Sequence, residues 1–217
     1  MTNETEEQQI EALKRWWSEN GSSIITGVLI GLAVLFGGKA WFAHQQTTAE
    51  NASLVYAQMM DAISRNNAAV AGETAGKLIA DYTSTPYSVM ASMALAKLKL
   101  DQGETAAART QLEWALENTK SDDIRYMLRL RLARVLLADN DPAGAETLLE
   151  VSGIPESYVP LFEELRGDAQ LMSGKPDQAR AAYEKALATL PGQSANRPLL
   201  QIKYDNLHSG SGGEGTQ

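Results

Sequence analysis

Side chains able to do covalent chemistry are scarce in this sequence. Its 217 residues include no cysteine and two histidines, His44 and His208. Neither histidine has the neighbours that would complete a metal site or a nucleophile–base pair, so thiolate, imidazole–metal and triad chemistry are nearly excluded. No P-loop, G-x-S-x-G element or paired-carboxylate site occurs. The chain reads as a non-enzyme without cofactor or metal. It does offer methionine: Met59, Met60, Met90, Met93, Met127 and Met172 beyond the initiator. Unbranched, polarizable thioethers suit a surface that adapts to varied apolar partners, and they equally fill gaps in a core. An arginine run, Arg125, Arg129, Arg131 and Arg134, is a candidate anion patch, although Asp122, Asp123, Asp139 and Asp141 nearby favour a solvated charged helix. Net charge is −8, and residues 44–217 hold 22 acids against 16 bases, or −6. That sign repels nucleic-acid phosphates, so nucleic-acid binding is not expected.

The element that positions everything else is Asn20–Gly38, 19 residues without a charge. At ~1.5 Å per residue this approaches the ~30 Å of a hydrocarbon core. The apolar run resumes after Lys39 as AWFA, which gives a transmembrane helix over 20–43 with the Lys39 ammonium snorkelling outward. Trp16 and Trp17 precede the span and Trp41 lies near its end, where interfacial aromatics belong. A core helix would show a polar face. A cleaved signal peptide would have a short basic start and a small-residue cleavage site, whereas five acids precede this span. Lys14 and Arg15 lie before the span, and after Lys39 no base follows until Arg65. The bias places the N-terminus in the cytoplasm and the rest across the membrane. Within the span Gly27 and Gly31 form G-x-x-x-G, a face another membrane helix can approach closely.

The sequence thus divides into a segment 1–19, the span 20–43, a helical domain 44–208 and a glycine- and serine-rich tail 209–217 expected to be disordered. Met1–Gln9 is also expected to be disordered, and residues 44–52 form a polar stretch leading into the domain. From there alanine and leucine recur at helical spacing, with no strand pattern. Breaks fall at Pro86, Gly103, Pro142, Gly153–Pro155, Gly174–Pro176 and Pro191–Gly192.

An internal repeat follows these breaks. Gly167, Gly174, Ala179, Tyr183, Ala186 and Pro191 resemble the tetratricopeptide pattern, a unit of about 34 residues with small residues where its two helices cross. Ala133, Asn140, Ala145 and Leu149 stand one unit earlier. Ala96, Gly103, Ala108, Leu112 and Ala115 stand one before that. Residues 53–82 read as a degenerate first unit broken at Arg65–Asn67, and Pro198–Leu207 as a capping helix. The fold class expected is all-α: one N-terminal transmembrane helix followed by a tetratricopeptide-like α-solenoid. A non-repeat helical bundle is the alternative.

In the tetratricopeptide pattern, positions 2, 5, 9 and 12 of each first helix line a concave groove. They correspond to Met90, Met93, Lys97 and Leu100; then Met127, Leu130, Arg134 and Leu137; then Leu161, Glu164, Asp168 and Leu171, with Met172 alongside. The expected partner groove is therefore built on Met90, Met93, Met127, Leu130, Arg134, Leu161 and Met172. It lacks the lysine and asparagine of the two-carboxylate clamp, so a C-terminal carboxylate is not the expected ligand.

Taken in order, IEALKRWWSENG at 10–21, GVLIG at 27–31, LRLARV at 130–135, LRGDAQLMSGKPDQARAAY at 165–183 and IKYDNL at 202–207 resemble the YfgM family of Gram-negative bacteria. The resemblance implies a single-span inner-membrane protein with a periplasmic tetratricopeptide-like domain. It further implies an ancillary subunit of the SecYEG translocon that pairs with the membrane-anchored chaperone PpiD and helps pass exported proteins to periplasmic chaperones. A membrane-anchored regulator of an envelope stress response is the other reading, acting through a cytoplasmic contact of the short N-terminal segment.

Overall fold

The computed structural model describes residues 3–210, with side chains over 8–207. The chain divides into two compact units, Met1–Asn51 and Ala52–Gln217. Among the described residues all regular elements are helices: α1 (Asn3–Ser64), α2 (Ala68–Asp81), α3 (Pro86–Asp101), α4 (Thr105–Asn118), α5 (Asp122–Ala138), α6 (Pro142–Leu149), α7 (Val159–Met172), α8 (Pro176–Thr189) and α9 (Arg197–Gly210).

α1 differs from expectation at both ends. It begins at Asn3, where the composition predicts disorder, and runs unbroken through the polar residues 44–52. No proline or glycine interrupts residues 39–64. The polar side chains of the stretch bond back within the helix: Thr47 Oγ1 donates to Ala43 O, Thr48 Oγ1 to His44 O, and Gln46 Nε2 to Glu50. The second compact unit begins at Ala52. Among the described residues α1 alone is long and apolar enough to cross a membrane, and only 6% of its most apolar stretch is buried, which removes the core-helix alternative. At the other end of the chain Ser209 and Gly210 belong to α9, and the remainder of the expected tail lies outside the described residues.

In the second unit the helices pair as the repeat demands. α3 packs on α4, α5 on α6 and α7 on α8, and each pair packs on the next. The small positions are fully buried at the crossings: Ala96, Ala108 and Ala115, then Ala133 and Ala145, then Ala179 and Ala186. Gly167 takes this furthest, because a Cβ there would lie 2.4 Å from Cε1 of Tyr183. The turn between the two helices of each unit needs one left-handed residue. Gly103 (φ 77°), Asn140 (φ 61°) and Gly174 (φ 73°) supply it. Asn66 (φ 55°) supplies it again in the first unit, between α1 and α2. Counting from Asn66 puts Met59, Ala71, Ala75 and Leu78 in phase with the later repeats, and all four are buried. The first unit is thus regular in backbone, with Met59 standing where the others have alanine or glycine. Replacing Gly174 by alanine, which disfavours the left-handed region, should cost about 1–2 kcal/mol, while Asn140→Gly should be neutral or slightly stabilising. Urea unfolding midpoints of the two variants check this.

Three apolar clusters hold the second unit together. The end of α1 packs with α2 and α3 through Ala52, Met59, Ala75, Leu78 and Ala91. The central cluster runs from α3 to α7 around Leu128, Leu132, Leu149 and Phe162. Tyr183 and Leu200 join α8 to α9.

Candidate partner groove

Two depressions lie side by side on the first helices of the repeats. One, of about 330 Å³, is lined by Tyr56, Met60 and Ile63 of α1, by Met90, Met93 and Lys97 of α3, and by Arg131 of α5. The other, of about 370 Å³, is lined by Met93, Lys97 and Leu100 of α3 and by Arg131, Arg134, Val135 and Ala138 of α5. Met93, Lys97 and Arg131 border both, so the two form one continuous groove. Its walls are predominantly apolar, and Met60, Met90 and Leu100 are each about two-fifths exposed.

The expected groove residues divide. Met90, Met93 and Arg134 are brought together here. Leu130 is not a groove residue: it is 3% exposed within the central cluster. The reason is that α5 is packed by α4, α6 and α7, so its fifth position faces a neighbouring helix. Leu161 packs against the same cluster. Met127 is half-buried and Met172 exposed at the end of α7, and neither lines the two depressions. Met59 is also core, at 0% exposure. The sequence reading omits Tyr56 and Ile63, and names Met60 among the methionines without placing it in the groove. Tyr56, Met60 and Ile63 occupy positions 5, 9 and 12 of the first unit, and the signal that could have found them is Asn66, 37 residues before Gly103.

Beyond α5 the groove positions are closed by the chain itself. Glu164 and Asp168, on the first helix of the third full repeat, both accept from Lys203 Nζ of α9 at 2.8 Å. Tyr183 Oη donates to Asp168 Oδ1 at 2.8 Å. Burial, reinforced by the charge of Asp168, pushes the Tyr183 phenol well up. Burial alone would lower the Lys203 ammonium, but its bonds to Asp168 and Glu164 outweigh that and hold it above its ordinary value. Both groups bind protons more tightly folded than unfolded. Their stabilisation is complete below about pH 10, near the unfolded values, and is lost as pH rises through the folded ones. Unfolding midpoints should therefore fall as pH rises above about 10, and a Tyr183→Phe, Lys203→Met double variant should show a flatter fall.

The arginine run also divides. Arg125 pairs with Asp122 and donates to Thr119 O, and Arg129 Nη1 donates to Leu148 O at 2.9 Å, so each satisfies a carbonyl near a helix end. Arg131 and Arg134 are exposed in the groove and have no hydrogen-bond or ion-pair partner among the described residues.

In α1, Gly27 and Gly31 are exposed, and a Cβ at either would meet nothing within 4 Å. Packing within the chain therefore does not require glycine at these positions.

Comparison with known proteins accords with this geometry. The family model of a tetratricopeptide repeat-like domain matches residues 14–209. A protein of Escherichia coli K12 named ancillary SecYEG translocon subunit is 33% identical over 94% of this chain and 97% of its own length. The chain belongs to the family of ancillary SecYEG translocon subunits. Family members of the same name from Haemophilus influenzae and Neisseria gonorrhoeae are 29% and 26% identical, each over 93% of the chain and 97% of their own length. The family's tetratricopeptide-like domain supplies the repeat, and its name denotes an accessory subunit rather than an enzyme.

Proposed function

We propose that the chain is a non-enzymatic adaptor at the SecYEG translocon. Residues 20–43 hold it in the inner membrane with its N-terminus cytoplasmic, and its helical-repeat domain lies in the periplasm. There the repeat domain binds partners through its groove, pairs with the membrane-anchored chaperone PpiD and helps hand exported proteins to periplasmic chaperones. The observation that carries this reading is the continuous open groove on α1, α3 and α5 in a chain whose relatives are named for the translocon. Tethering supports it physically, because a groove held beside the exit site works at high effective concentration and weak binding suffices. Gly27 and Gly31 offer the span a close-packing face for a neighbouring membrane helix.

The test is affinity isolation of the tagged full chain from membranes after crosslinking in cells. Translocon subunits should accompany the unsubstituted chain. A Gly27→Leu, Gly31→Leu variant should lose membrane-helix contacts, and a Met90→Ser, Met93→Ser variant should lose periplasmic partners. Isolation without any translocon subunit would sink the reading.

A further inference from the structure

The groove has a charge pattern as well as an apolar one, and the pattern is specific to its floor. In Ala52–Gln217 every other arginine has a carboxylate or backbone carbonyl partner, as in Arg65 with Asp61, Arg109 with Glu113, Arg166 with Glu163 and Arg197 with Leu190 O. Arg131 and Arg134 have none among the described residues, and both open into the groove. Arg131 sits where the two depressions meet. Lys97 on the facing helix is already neutralised by Asp101 at 2.7 Å, so the free positive charge is that of the two arginines. They line the same groove as Met60, Met90, Met93 and Leu100, in a region whose overall charge over residues 44–217 is −6. Two unpaired guanidinium groups in an acidic domain are a local complement to carboxylates, and a guanidinium fork binds a carboxylate in bidentate fashion where a lysine would not.

We propose that the groove takes a peptide segment of another protein in which acidic side chains alternate with bulky apolar ones, the carboxylates on Arg131 and Arg134 and the apolar side chains on the methionines. The proposal rests on the groove reading above and names the chemistry of its occupant. A purely apolar segment would leave both arginines without a partner. A basic segment would be repelled by them.

The test uses the full chain in nanodiscs and fluorescein-labelled 15-residue peptides read by anisotropy, with empty nanodiscs as blank. One peptide interleaves leucine and methionine with glutamate, a second replaces glutamate by glutamine, and a third by lysine. The glutamate peptide should bind about tenfold more tightly than the glutamine one, an advantage that salt reduces. The Arg131→Glu, Arg134→Glu variant should reverse the order in favour of the lysine peptide. Neither arginine has a partner among the described residues, so the variant should keep its unfolding midpoint, which is measured alongside. Equal binding of the glutamate and glutamine peptides, with both weakened by Met90→Ser, would overturn the charge proposal and leave the groove standing. Binding unaffected by Met90→Ser and Met93→Ser would remove the groove itself. Failure of the glutamate peptide to bind the unsubstituted chain would overturn the proposal outright.

Discussion

A Gly167→Val substitution should destabilise the repeat domain by about 2–4 kcal/mol, enough to lower its unfolding midpoint far below that of any groove variant. Two opposed effects meet at this position. Glycine inside a helix is costly, and replacing it gains up to about 1 kcal/mol where the site is open. At Gly167 the site is not open: the added Cβ would stand 2.4 Å from the Tyr183 ring. That ring is 1% exposed, and its hydroxyl is fixed to Asp168, so it has nowhere to swing. Steric conflict therefore wins. Gly76, exposed on α2 with nothing within 4 Å of an added Cβ, supplies the opposite sign. Gly76→Ala should stabilise by about 0.5–1 kcal/mol. Chemical unfolding of both variants checks the pair, and equal effects would contradict the packing account.

The second large effect separates core from groove. Leu130→Ala should cost about 2–4 kcal/mol, because it opens a cavity in a packed cluster between α5 and its neighbours. Met90→Ser should cost well under about 1 kcal/mol, since Met90 is 38% exposed and already meets solvent. Repeat register alone places both side chains in the groove. The two substitutions should nevertheless behave differently in a partner-binding assay: Leu130→Ala loses binding only as the fold is lost, and Met90→Ser loses binding with the fold intact. Unfolding midpoints measured beside binding on the same preparations decide it.

Much of this organisation is legible in the sequence because the repeat restricts backbone and packing at a few positions. Gly103, Asn140 and Gly174 mark the left-handed turns, and Gly167 with Tyr183 marks the tightest helix crossing. Such requirements write themselves into residue types. The first unit is harder to read because Met59 fills a position the later units leave small, although Asn66 keeps the turn. The groove is legible in register but not in depth. A register position says which way a side chain points on its own helix, not whether a neighbour covers it. Leu130 is covered by packing around α5, and Glu164 and Asp168 are covered by Lys203 from a helix 35–39 residues further on. The continuity of α1 through residues 44–52 is hidden for a different reason. Polar composition suggests a linker, yet threonine and glutamine bonds within the helix let a polar stretch stay helical.

On the proposed function, the groove on α1, α3 and α5 is where this translocon-family subunit meets its partners. Site-specific photocrosslinking in intact membranes tests it most directly, with one probe at Met90 in the groove and another at Ala181, exposed on α8 outside both depressions. Met90 should crosslink to a chaperone or an exported chain, and Ala181 to neither. Crosslinks from Ala181 with none from Met90 would contradict this placement and move the working surface to the other side of the repeats.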